Sequence, residues 1–176
     1  MILLALSFVS SPVFAESSQS QISIVGTYTN MRHTEEHSYG YTVELWKQGN
    51  RVFGFILASN GLSGDTPTGL IEDVKYEPVS GKFSFKAKLT MGLIYNKQLK
   101  KDVPSQDIFK FNGILNKDTL SGTLEVSEAI SNKPPVKEEI RLLFSAEKTR
   151  QLQTFSSYEY WKKMAKDILK FRGPKW

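Results

Sequence analysis

Residues 108–126 constrain the fold more than any other stretch of this chain. They run Ile-Phe-Lys-Phe-Asn-Gly-Ile-Leu, then Asn-Lys-Asp-Thr, then Leu-Ser-Gly-Thr-Leu-Glu-Val. Both arms alternate apolar and polar residues, and the four residues between them are turn formers. Setting Asn116 against Thr119 fixes the rest of the hairpin. Leu115 then faces Leu120, Gly113 faces Gly122, Phe111 faces Leu124 and Phe109 faces Val126. Side chains alternate along a strand, so all eight lie on one face. The two facing glycines leave a hole in that face. Such a hole marks a sharp bend, a neighbouring side chain that fills it, or a ligand.

A second hairpin can be placed in the same way. Gly49-Asn50 is a favoured two-residue turn between strands over residues 39–48 and 51–60. It sets Val43 against Ile56, Leu45 against Gly54 and Tyr41 against Ala58. The opposite face carries Trp46 against Phe53, Glu44 against Phe55 and Thr42 against Leu57. This hairpin is apolar on both sides, so its second side needs a cover. Further strands are expected over residues 22–30, 70–76, 82–91 and 136–145, the last with Val136, Ile140, Leu142 and Phe144 on one face. If Tyr76 faces Phe83, then Val74 faces Phe85 and Glu72 faces Ala87, which points Glu72 inward. A bulge at Gly81 would shift that register. Residues 92–106 form a long connection, whose readings are an extension of the preceding strand in its first part, a lid or binding loop, or plain disorder.

The end of the chain differs. Residues 155–172 have helical spacing in Tyr158, Trp161, Met164, Ala165 and Ile168, with Gly173-Pro174 as the stop. Ser156 with Glu159 forms a capping box, and Phe155 with Tyr160 a hydrophobic staple. Lys162, Lys163, Lys166 and Lys170 lie mostly on the other face. This helix is expected to cover the outer face of Trp46, Phe53, Phe55 and Leu57; the other readings are an anionic membrane surface or a protein partner. About eight short strands and one terminal helix predict a mainly β chain, an up-and-down antiparallel barrel with the helix packed outside. Glycines recur inside the strands at Gly26, Gly54, Gly113 and Gly122, where a barrel wall must bend. A two-sheet sandwich is the alternative.

Composition limits function. Residues 1–15 carry no charge, contain an apolar run and end Val-Phe-Ala, the pattern of a secretory signal peptide. A polar leader, 16–21, precedes a barrel domain over 22–150 and a basic amphipathic helix over 151–176. The expected location is periplasmic or secreted. The chain has no cysteine, which excludes disulfides, thiolate chemistry and cysteine metal ligands. Residues 1–132 hold 12 Lys+Arg against 13 Asp+Glu, and residues 133–176 hold 11 against 5. The basic excess therefore belongs to the C-terminal end, and a neutral main body is not the footprint of a nucleic-acid binder.

At this point the chain resembles the calycins, the superfamily of lipocalins, fatty-acid-binding proteins and avidins. The likeness covers residues 22–145 as strand order with a trailing helix. Val25-Gly-Thr-Tyr-Thr-Asn30 is similar to the first strand of avidins and to the Gly-x-aromatic start of lipocalins. Trp46 is the one tryptophan of the barrel region, so the resemblance implies architecture and not a biotin site.

His33-Thr-Glu-Glu-His37 matches the H-x-x-E-H pattern of inverted zinc peptidases, but that chemistry needs a helix and the flanks are strand-like. A structural metal on His33, Glu35 and His37 is weaker than a solvated loop, and neither metal nor cofactor is expected. No nucleophile elbow occurs, and Glu72 is the one carboxylate argued inward, too few for paired acid–base work. The expectation is a non-enzymatic exported barrel that binds a small apolar or amphipathic molecule. Its cavity candidates are Tyr28, Tyr41, Glu72, Phe111, Gly113 and Gly122. A fully packed small barrel is the competing reading. The alternative function is an envelope interaction module, or an inhibitor of a secreted enzyme, using residues 31–38, residues 60–69 or the helix.

Overall fold

The computed structural model describes residues 21–62, 66–130 and 133–176; the segment expected to be a signal peptide, most of the polar leader and part of the 60–69 loop lie outside these. Twelve strands and two helices are formed among the described residues. They are β1 (Ile22–Thr29), β2 (Arg32–His33), β3 (His37–Gln48), β4 (Arg51–Leu62), β5 (Thr68–Leu70), β6 (Glu72–Tyr76), β7 (Lys82–Leu89), β8 (Leu93–Asn96), β9 (Lys101–Pro104), β10 (Asp107–Leu115), β11 (Thr119–Glu128) and β12 (Val136–Phe144), followed by α1 (Ala146–Gln151) and α2 (Tyr158–Arg172). Hydrogen bonding orders nine of the strands β5-β4-β3-β1-β12-β11-β10-β7-β6, every pair antiparallel. The two ends of this path are joined through the single residue Ile71. The stretch is bonded to β4 in its first half, where Ala58 N donates to Pro67 O (3.0 Å) and Ile71 N to Gly54 O (3.0 Å), and to β7 in its second. The result is a nearly closed antiparallel barrel, compatible with the calycin architecture. The strand expected over 70–76 is thus two strands that change neighbour at Ile71.

Both hairpins form in the expected register. Gly113 pairs with Gly122 and Leu115 with Leu120; Val43 pairs with Ile56 and Trp46 with Phe53. Inside the barrel, Val43, Leu45, Ile56, Phe83, Phe85, Phe109, Phe111, Leu124 and Leu142 belong to one buried cluster. The ring of Phe85 stacks on Phe111 with centroids 5.3 Å apart. The facing glycines do not open a void. A Cβ on Gly113 would sit 2.2 Å from Ser121 O and 2.8 Å from Gly122 Cα, both backbone atoms. The two strands approach so closely there that only glycine fits.

Outside the barrel, Trp46, Phe53 and Phe55 are buried with Ile22 beneath Trp161 and Ala165 of α2. The helix is the cover that the doubly apolar hairpin required. Its N-cap is Ser157, whose Oγ accepts from Tyr160 N (3.2 Å), one residue later than the capping box of the sequence predicts. Phe155 and Tyr160 still approach, with centroids 6.3 Å apart. The short α1 had no sequence signal, because Ala-Glu-Lys-Thr-Arg-Gln has no apolar face. It packs where the wall is thinnest. β1 and β12 pair over two residue pairs, Tyr28 with Phe144 and Thr29 with Leu143. Beside them Thr149 Oγ1 of α1 accepts a hydrogen bond from Thr27 N (2.9 Å), next to the bulge at residues 24–26.

Three expectations are corrected. Asp73 has φ +51°, and the bulge it makes pairs Glu72 with Lys86 instead of Ala87. Glu72 is therefore exposed on the outside and does not point inward. Val136, Ile140, Leu142 and Phe144 keep one face of β12, but that face is buried only at Ile140 and Leu142, and Val136 and Phe144 are exposed. Residues 92–106 are neither a strand extension nor plain disorder: β8 and β9 pair with each other as a separate two-stranded hairpin.

Candidate functional site

The interior is filled by side chains, so space for a ligand is found in clefts at the surface, and one of these lies at the barrel's mouth. A cleft of about 610 Å³ opens where β1 meets the turn at residues 77–81 and the β10–β11 turn. Its size suits a small molecule. Tyr28, Val52 and Leu115 form its floor, Val79 and Ile114 stand in its walls, and Lys47 and Lys117 border it. The floor residues belong to the interior cluster, so the cleft is the point where the core surfaces. Val79 is fully exposed and Ile114 is 40% exposed, although each is aliphatic.

Local sequence explains this shape. Asn116 Oδ1 accepts from Asp118 N (3.0 Å) and Thr119 N (2.7 Å), which holds the β10–β11 turn as an Asx turn. Gly81, at φ +72°, closes the other turn, and its N–H donates to Glu77 O (2.8 Å). Leu115 N then donates to Gly81 O (2.8 Å), so the two turns are tied to each other. Tyr28 sits against both: its hydroxyl donates to Asn116 O (3.1 Å) and its ring meets Phe144 edge-on at 5.8 Å. Burial raises its phenol above the ordinary range, helped by Tyr76 and Asp118. Tyr28 thus stays neutral at physiological pH and serves as an apolar wall with its polar atom already satisfied. The chemistry on offer is burial of apolar surface beside two cations.

Of the six cavity candidates, Tyr28 alone lies at this cleft. Phe111 is in the packed interior, 2% exposed. Gly113 and Gly122 are backbone against backbone, and Glu72 is outside the barrel. Tyr41 lies toward the opposite end, edge-on to Phe109 at 6.3 Å. The residues that the sequence did not single out are those of the turns, Val79 and Lys117 above all. The available signal was an aliphatic residue in the middle of Glu-Pro-Val-Ser-Gly, and a single exposed aliphatic residue is too common to mark a site by itself.

Tyr41 carries the largest pKa displacement. Its phenol is pushed up to about 12, by burial first and then by the charge of Glu138 and a hydrogen bond to it. The same group ionises near 10 in an unfolded chain. The stability gained by keeping it neutral is fully present below about pH 10 and is lost as pH rises through about 12. Denaturant midpoints are expected to fall across that window, and Tyr41→Phe to flatten the fall. Midpoints measured at several pH values check this; an equal slope in both proteins would contradict it.

The histidine segment forms no helix. Thr34 N donates to His37 O (2.8 Å) in a tight turn, His33 Nδ1 lies 2.8 Å from Ser38 Oγ, and His37 stacks on Tyr39. Among the described residues no three His, Cys, Asp or Glu side chains gather as a metal site, and no helix is long and apolar enough to cross a membrane. No protein-family model matches the chain, and no curated protein or solved structure matches it significantly.

Proposed function

We propose that the chain is an exported, non-enzymatic, lipocalin-like barrel that binds a small amphipathic molecule at its mouth rather than deep in its interior. The observation that carries this reading is the apolar cleft of about 610 Å³ bordered by Lys47 and Lys117. Apolar walls favour a hydrocarbon portion, at roughly 25 cal/mol per Å² removed from water. The two lysines favour a negative head, a carboxylate or a phosphate, held near the rim where screening is partial. The packed interior argues for a molecule that lies across the end of the barrel instead of one swallowed by it.

Mass spectrometry under non-denaturing conditions, with lipid extraction of protein purified from its own host, tests for a carried molecule. Titration with a fluorescent long-chain carboxylate tests the site. Ile114→Asp places a like charge in the wall at a position already part-exposed, so the fold should tolerate it. Probe affinity is expected to fall about tenfold, equivalent to ~1.4 kcal/mol. The reading fails if the extract is empty and the probe does not saturate, or if Ile114→Asp binds the probe as well as the parent.

A further inference from the structure

The β8–β9 hairpin stands at the end of the barrel opposite the mouth. Its foot is tied down. Met91 N donates to Ser105 Oγ (2.9 Å) and to Asp107 Oδ2 (3.0 Å), Ser105 N donates to Gly92 O (2.8 Å), and Thr90 Oγ1 donates to Ser105 O (3.0 Å). Ser105 Oγ also donates to the Asp107 carboxylate. The tip is held by Asn96, whose Oδ1 accepts from Gln98 N (3.0 Å) and Leu99 N (2.9 Å). The hairpin is therefore a built projection.

What it projects is apolar. Leu93 is 69% exposed, Tyr95 63% and Leu99 59%. Leu93 and Tyr95 share a face, since they are two apart on β8. None of the three belongs to either buried cluster. Around them stand Lys97, Lys100 and Lys101, and the one carboxylate among residues 92–106 is Asp102.

The C-terminal tail joins the same end. Lys175 N donates to Thr90 Oγ1 (3.1 Å) and Trp176 Nε1 to Leu89 O (3.1 Å), with Lys88 Nζ 4.5 Å over the Trp176 ring. Residues 170–176 add Lys170, Arg172 and Lys175 with no Asp or Glu, although Lys170 is paired with Asp167 at 2.6 Å. Phe171, 83% exposed, adds an aromatic ring to the last turn of α2.

One flank of the hairpin borders a recess of about 930 Å³ that Ile94, Tyr95 and Lys97 share with Glu128, Ile130 and Lys133, but the exposed Leu93 and Leu99 stand outside it as single apolar tips. They match a lipid surface, where rings and aliphatic tips enter the headgroup layer and lysines meet negative phosphates. We propose that this end of the barrel docks on an anionic membrane surface through Leu93, Tyr95 and Leu99, with Lys97, Lys100 and Lys101 supplying the electrostatic attraction. This places the contact on the hairpin, where the sequence pointed to the lysine face of α2.

The chain has no cysteine, so one introduced thiol gives a unique label. In the full chain, Leu99→Cys and, as a control on the outer wall, Asn112→Cys carry an environment-sensitive fluorophore; Asn112 is exposed and lies away from both the hairpin and the mouth. Vesicles are phosphatidylcholine alone, or with phosphatidylglycerol added. The label at position 99 is expected to shift to the blue with anionic vesicles only, and the label at 112 to stay unchanged. Neutralising Lys97, Lys100 and Lys101 to Gln should weaken partitioning by roughly tenfold or more, from the attraction each lysine near the surface provides. Neutralising Lys162, Lys163 and Lys166 should not. The proposal is overturned if the label at 99 does not move, if it moves equally with neutral vesicles, or if the α2 variant loses binding while the hairpin variant keeps it.

Discussion

Trp161→Ala is expected to lower the unfolding free energy by about 3–5 kcal/mol, the range for truncating a fully buried large aromatic. The side chain is 1% exposed. Its ring lies 4.6 Å from Phe53, 5.4 Å from Phe55 and 6.2 Å from Trp46, between centroids. Removing it uncovers the outer face of the β3–β4 hairpin as well as leaving a cavity. The indole N–H has no hydrogen-bond partner in its buried position. Trp161→Phe therefore deletes no hydrogen bond, relieves an unsatisfied donor and should cost about 1 kcal/mol or less. Urea unfolding followed by circular dichroism separates the two variants. Equal losses in both, or a loss under about 1 kcal/mol in the alanine variant, would mean that α2 does not carry the outer face.

Gly113→Leu should cost about 3 kcal/mol, the upper end for adding volume to a packed site. The obstacle begins at the first added carbon, which meets the backbone of β11, not a side chain that can rotate away. Gly113→Ala should therefore show most of the effect. A void between the facing glycines would give the opposite order, with alanine neutral and leucine neutral or stabilising. Stabilities of the two variants from the same unfolding measurement distinguish the cases, and an unchanged leucine variant would restore an interior cavity.

The sequence made the hairpins legible because two periods agreed there. Alternation set the faces, and Gly49-Asn50 and Asn116–Thr119 set the registers, so a single pairing satisfied both. The helix was legible from its spacing and from the uncovered face of Trp46 and Phe53. Glu72 was misplaced because a bulge at a non-glycine residue leaves no mark in the pattern: Asp73 adopts φ +51° where nothing in the sequence demanded it. The β8–β9 hairpin was hidden for a similar reason. Its turn has Gln-Leu-Lys where glycine or proline would announce one, and it is held by the Asn96 side chain instead. The mouth was out of reach in a different way. Its floor and walls come from β1, from the turn at 77–81 and from the β10–β11 turn, and only the closed barrel brings these segments to one place.

The brevity of the β1–β12 pairing has a consequence for how the chain folds. Every other ladder joins strands that follow one another in the barrel wall, β1 and β3 across the short β2 and β7 and β10 across the β8–β9 hairpin, and the stretch at Ile71 links the halves without a crossover. The barrel can thus grow largely as a run of hairpins, with residues 90–106 between β7 and β10 the one long loop to close along the way. Only two residue pairs must wait for the two ends of the wall to meet. Because it joins the two ends of the wall, closure is expected to be the late step, and α1 reinforces it through the hydrogen bond from Thr27 N to Thr149 Oγ1.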